Sequence, residues 1–204
     1  PSSTRLTALK GFHGSDALAG WGDVVQAVKA AGGHIFPQLW HVGALRSASL
    51  AWRPPTPFES PSGISRPGKE SGVAMSEADV LATIEAFGRA AGEAMRLGFD
   101  GIELHAAHGY LIDQFFWEGT NLRTDRWGGA TLAERTRFAC DVIAAARAAT
   151  RPDFPIVIRL SQWKQQDFPA RLALTPQAMQ AWLEPMVTAG VTAFHCSTRR
   201  FWEA

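Results

Sequence analysis

Apolar residues recur three and four apart in several stretches of this chain, and short β-branched runs bounded by glycine or proline lie between them. Leu18, Trp21, Val25 and Val28 share the face of a first predicted helix, with Ser15 or Asp16 as cap and Gly32-Gly33 as stop. Ile35 to Trp40 reads as a buried strand. Ser76 and Asp79 form a capping-box pattern ahead of Val80, Ile84, Phe87, Ala91 and Ala94, with Gly98 ending that helix. A strand over 99–105 follows, then a short apolar segment from Leu111 to Trp117. Thr131 and Glu134 repeat the capping box before Leu132, Phe138, Val142 and Ile143. Ile156 to Leu160 is a further strand. Thr175-Pro176 opens a helix carrying Met179, Trp182 and Met186, with a kink expected at Pro185. Gly190 ends it, and Thr192 to Cys196 forms the fourth strand.

The order αβαβαβαβ, without hairpin signals, predicts a parallel α/β sheet. Periodicity alone leaves a barrel and a doubly wound sheet both open, and both place ligands at the carboxyl ends of strands. No Gly-x-Gly-x-x-Gly fingerprint follows any strand. Residues 44–75 are rich in Pro, Ser and Gly and lack periodicity. A stretch that long is expected to be a lid or binding loop.

Length and composition narrow the function. The 204 residues suffice for one domain with a sizeable core, and 46% hydrophobic with 19% charged residues is an ordinary globular balance. The net charge of +1, without a basic tract, gives nucleic acid no electrostatic footing. No apolar run reaches the roughly 18 residues of a membrane span. Cys140 and Cys196 lack metal or redox spacing, as expected of reduced thiols in a cytoplasmic protein. The chain opens on Pro1 rather than methionine and closes just after an apolar run, so it reads as a piece of a longer protein.

Polar groups cluster where the strands end. In Asp100-Gly-Ile-Glu-Leu-His105-Ala-Ala-His108-Gly-Tyr110 an apolar run ends on a histidine. A second histidine and the chain's single tyrosine follow. Strict alternation would send His105 and His108 to opposite faces, so the strand is expected to stop near Ala106 and curl over its end. Gln38, Arg159 and His195 also lie at strand ends. Each has a plainer reading, as a backbone cap, a partner for a loop carboxylate, or a satisfied core histidine. The spacing of His105 and His108 is not the helical i, i+4 of a zinc pair, and only Glu103 could join them. No metal is therefore expected. Imidazoles that donate to a carbonyl, a phenol that gives a proton and an arginine that steadies an anion suit reduction of a polarised double bond. Side chains cannot supply the hydride; a nicotinamide or flavin must.

With Pro37-Gln38-Leu-Trp40-His41-Val-Gly43, Asn121-Leu-Arg123-Thr-Asp125-Arg-Trp-Gly128-Gly129 and Ile158-Arg159-Leu-Ser161 added, the chain resembles the old yellow enzyme family of FMN-dependent ene-reductases from about Phe36 to Trp202. The resemblance implies a (β/α)8 TIM barrel, of which residues 1–204 would form one partial FMN-binding domain covering the middle half or more. It implies FMN as cofactor, NADPH or NADH as hydride donor, and an α,β-unsaturated carbonyl compound as small-molecule substrate. Gln38, Arg159 and His105 would contact the flavin, Arg159 steadying its reduced, anionic form. His105 and His108 would grip the carbonyl oxygen, and Tyr110 would protonate the α-carbon. Trp40, His41 and His195 would line the substrate site, and the 44–75 loop would cover part of its mouth. The first barrel strands and the phosphate-binding units would lie outside this stretch. An open half barrel exposes strand edges that invite self-pairing, so a homo-oligomer is one expected form. Two other readings stay open: a metal-dependent barrel lyase using the histidine pair, and a truncated remnant without catalysis.

Overall fold

A four-stranded parallel sheet organises the computed structural model, which describes residues 12–45 and 57–198. In chain order the elements are α1 (Ser15–Ala30), β1 (Gln38–Leu39), β2 (Glu59–Ser60), β3 (Ile64–Arg66), β4 (Lys69–Glu70), β5 (Val73–Ala74) and α2 (Glu77–Arg96). Then come β6 (Ile102–His108), α3 (Leu111–Phe116), α4 (Leu132–Arg135), α5 (Arg137–Ala148), β7 (Ile156–Lys164), α6 (Pro176–Thr188) and β8 (Ala193–Cys196). The main sheet runs β1-β6-β7-β8, and every pair in it is parallel. Spatial order follows chain order without the reversal that marks a doubly wound sheet. That is how successive units of a βα-barrel are laid down.

Alternation along the strands separates two environments. Ile102, Leu104 and Ala106 of β6, with Ile156, Ile158 and Leu160 of β7, are buried in the main apolar core. Helices α2 and α5 cover that core, and they approach closely because Gly88 and Gly92 face the backbone of Ala145 and Ala149. The intervening residues, Glu103 and His105 on β6 and Arg159 on β7, occupy the opposite face. Both predicted capping boxes form. Ser76 accepts from the Asp79 amide at 3.2 Å, and Thr131 from the Glu134 amide at 3.2 Å.

Several local expectations change. Gly14 (φ 83°), not Ser15 or Asp16, caps α1, and the Ser15 hydroxyl donates to Asp16 instead. The first strand shrinks to Gln38–Leu39, since Pro37 has no N–H to give the ladder, although its carbonyl accepts from Glu103 at 2.9 Å. The third predicted helix divides at Thr136, whose hydroxyl turns back to the Leu132 carbonyl at 2.8 Å. Helix α6, by contrast, keeps its expected course, with Pro185 inside it and its end at Thr188 just before Gly190. Within the expected 44–75 loop, residues 57–75 hold β2 to β5, so that part is more regular than its composition suggests. β3 and β4 form an antiparallel hairpin around Pro67-Gly68, with Gly68 at φ 72°. Pro-Gly is the turn pair that should have announced it. Residues 46–56 of that stretch and the ends 1–11 and 199–204 lie outside the described residues.

Candidate active site at the strand ends

The site is built in layers across the sheet. Register places His105 of β6, Arg159 of β7 and His195 of β8 side by side, with Gln38 of β1 opposite Glu103 one step lower. Glu103 ties that lower step together. One carboxylate oxygen accepts from Gln38 Nε2 at 2.5 Å, and the other meets His195 Nδ1 at 2.6 Å. Both Gln38 and His195 remain exposed to the open face.

The upper part depends on how β6 ends. The strand does not stop near Ala106 but continues to His108. Ala106 pairs with Leu160 and His108 with Lys164, so β7 spends four residues where β6 spends two. His108 is the only non-glycine residue with a positive φ among the described residues, at 63°, and Gly109 follows at 82°. This pair of left-handed residues swings the second imidazole back toward the first. The ring centroids of His105 and His108 lie 5.7 Å apart, those of His105 and Tyr110 5.1 Å. Trp40 stands edge-on to both His105 (5.9 Å) and Tyr110 (4.8 Å) and keeps 40% of its surface exposed. His105 and His108 are buried, while Tyr110 is half-buried at the start of α3.

Arg159 donates through Nη2 to Ser197 Oγ at 2.8 Å, and Ser197 Oγ lies 3.2 Å from His108 Nε2. Its Nε is buried and has no hydrogen-bond partner among the described residues. A charged donor left in that position calls for an acceptor from outside these elements. His41 sits differently from the other expected pocket residues. It is buried, its Nδ1 accepts the Gly43 amide at 3.0 Å, and its carbonyl accepts from Leu111. Burial lowers its pKa to about 4, so the ring stays neutral with its proton on Nε2.

Beneath the turn, Lys164 Nζ meets Asp113 Oδ1 at 2.6 Å, with both side chains fully buried. Burial pushes the Asp113 carboxyl up and the Lys164 ammonium down, and their mutual attraction opposes both shifts. The next two residues also reach the turn. Gln165 donates to the Tyr110 hydroxyl at 3.2 Å and Gln166 to the Gly109 carbonyl at 3.0 Å. Gln166 further lines a 460 Å³ cleft with Arg66, Pro67, Gly68 and Lys69 of the hairpin.

The structure thus brings Trp40, His105, His108, Tyr110 and Arg159 together, with Gln38 and His195 joined through Glu103. Glu103 was legible as the residue two before His105 on the same strand face; Ser197, Asp113 and Lys164 to Gln166 carried no sequence signal. Among the described residues no three His, Cys, Asp or Glu side chains gather as a metal-binding set. Nor is any described helix long and apolar enough to cross a membrane.

Comparison with known proteins matches residues 2–188 to the model of the NADH:flavin oxidoreductase / NADH oxidase family. Aldehyde reductase FrzD of Cladobotryum sp is 36% identical over 179 residues, which are 86% of this chain and 47% of that protein. 12-Oxophytodienoate reductase 7 of Oryza sativa subsp. japonica is 33% identical over 178 residues, 79% of this chain and 43% of its own. Among solved structures, morphinone reductase in complex with tetrahydroNAD superposes with a TM-score of 0.79 at 29% identity, covering 98% of this chain and 61% of that one. The old yellow enzyme homologue from Zymomonas mobilis gives 0.70 at 30% identity, covering 88% and 52%. The chain spans about half the length of the curated relatives it matches. The four-stranded sheet and its helices are therefore part of a (β/α)8 barrel, and the chain belongs to the NADH:flavin oxidoreductase / NADH oxidase family, the old yellow enzyme group.

Proposed function

We propose that this chain carries the substrate-activating part of an FMN-dependent ene-reductase, which draws hydride from NADPH or NADH and reduces the activated C=C bond of α,β-unsaturated carbonyl compounds. The observation that carries this reading is the convergence of His105, His108 and Tyr110 on one face beside Arg159. The residues fit the cofactor: Arg159 Nε is a buried donor with no acceptor among the described residues, and Gln38 presents an exposed amide on the same side. Gln38, Arg159 and His105 would hold FMN. When bound and reduced, FMN supplies the hydride that the substrate takes up at its β-carbon.

The chain's own residues do the rest. His105 and His108 donate to the carbonyl oxygen and draw electron density from the double bond. Tyr110 gives its hydroxyl proton to the α-carbon, so the product gains one hydride and one proton, and the tyrosinate regains its proton from water. The Arg159 guanidinium would offset negative charge on the reduced ring. Trp40 and His195 flank the opening, and His41 holds the loop beneath it through the Gly43 amide. We take residues 1–204 as one partial barrel domain whose 44–75 segment lies at the mouth, a placement supported by the hairpin's shared cleft with Gln166. The small net charge supports a small-molecule partner rather than nucleic acid, and the free Cys140 and Cys196 support a reducing, cytoplasmic setting.

The test is a visible spectrum of the purified protein after FMN is added and the excess removed. A retained flavin band that bleaches with NADPH and returns with cyclohexenone is the expected result. A colourless protein, or a bleached band that cyclohexenone leaves unchanged, would overturn the reading.

A further inference from the structure

Three consecutive side chains at the end of β7 each bind a different point of the turn that carries Tyr110. Lys164 pairs with Asp113 at 2.6 Å, Gln165 donates to the Tyr110 oxygen at 3.2 Å, and Gln166 donates to the Gly109 carbonyl at 3.0 Å. The far side of the turn is held as firmly: Asp113 accepts the Gly109 amide, and Gln114 Nε2 donates to the Gly109 carbonyl at 2.7 Å. Gln166 lies so close to Gly109 that a methyl group there would overlap it. Such bracing has a physical reason. Two successive left-handed residues, one of them His108, are costly unless their surroundings over-determine them.

We propose that Lys164-Gln165-Gln166 is a positioning clamp for the proton donor. Lys164, through Asp113, and Gln166 fix the turn, and Gln165 holds the phenol oxygen of Tyr110 and steadies it once the proton has left. The proposal rests on the ene-reductase reading. A neutral N–H···O bond strengthens when its acceptor becomes an anion, so the Gln165 contact counts for more after proton delivery than before. Reduction of the flavin by the nicotinamide needs no proton from Tyr110, and the two half-reactions must therefore respond differently.

Gln165 is exposed, so replacing it leaves the core intact. In the FMN-loaded protein, Gln165→Leu is expected to slow reoxidation by cyclohexenone roughly ten-fold, the weight of one hydrogen bond. The solvent deuterium isotope effect on that step should rise, while FMN content and reduction by NADPH stay unchanged. Tyr110 is the only tyrosine in the chain, so isotope-labelled tyrosine gives one NMR resonance, which Gln165→Leu should shift. Gln165→Lys retains a donor and should restore most of the rate. Equal losses in both half-reactions, or an unmoved resonance and rate, would overturn the role given to Gln165. Asp113→Asn tests the clamp beneath. KM for the enone should rise about ten-fold in the folded, FMN-loaded fraction; a lower Tm with unchanged KM would reduce the pair to a purely structural one and overturn the clamp. A wild-type protein that never reoxidises with enone would sink the functional reading instead, and the tyrosine resonance would still report the Gln165 contact.

Discussion

Tyr110 and Gly109 are neighbours with unlike duties. Tyr110 contributes a proton, so Tyr110→Phe keeps the ring packed against Trp40 and His105 and removes only the hydroxyl. Loss of a general acid typically costs about 10²–10⁴ in rate. Stopped-flow reoxidation by an enone should slow by that order, while reduction by the nicotinamide stays near wild type. Gly109 contributes geometry. Its φ of 82° and the Gln166 amide against its Cα leave no room for a side chain. Gly109→Ala should destabilise the fold by about 1–3 kcal/mol in urea unfolding, since left-handed backbone strain and a steric clash act together. It should also weaken enone binding in whatever fraction stays folded, because the turn that moves carries both His108 and Tyr110.

At the level of elements, helix α2 covers the sheet with Val80, Ile84, Phe87, Ala91 and Ala94, and its start is fixed by the reciprocal bonds of Ser76 and Asp79. Ser76→Ala removes the acceptor for the Asp79 amide and should cost about 1 kcal/mol, read as a lower urea midpoint with an unchanged slope. Both capping boxes, the helix faces and the parallel order were legible in the sequence because each depends on residues close in the chain. The hairpin at Pro67-Gly68 was missed although its signal is local, since a long Pro- and Gly-rich stretch hides a single turn pair. The end of β6 was misjudged for a different reason: its length is set by two extra residues on β7, more than fifty positions away. The site divides in the same manner. His105, His108, Tyr110, Gln38 and Arg159 stand at strand ends that periodicity finds. Asp113 with Lys164, and Ser197 with Arg159, exist as pairs only after the sheet has formed.

For the molecule as a whole, pH acts through groups whose folded and unfolded proton affinities differ, and two such groups work in separate windows. Asp100 joins α1 to the sheet: Lys29, then His34 at 2.9 Å, then the Ile35 amide at 2.8 Å hold its carboxyl well below the usual range. Its contribution is complete above the unfolded carboxylate value of about 3.9 and is lost only under stronger acid. His41 acts earlier. Burial lowers its pKa from 6.5 to about 4, so between those values the unfolded chain takes up a proton that the folded chain refuses. Stability must therefore fall as pH drops through that window and level off below it, by about 3 kcal/mol for a shift of this size. His41→Asn keeps an acceptor for the Gly43 amide but removes the titrating ring. Urea unfolding at pH 7 and pH 4.5 should show the wild type losing about 2–3 kcal/mol more than the variant across this interval. Parallel losses in the two proteins would mean that His41 is protonated within the fold, and that the loop leading from β1 to the mouth opens more readily than its burial implies.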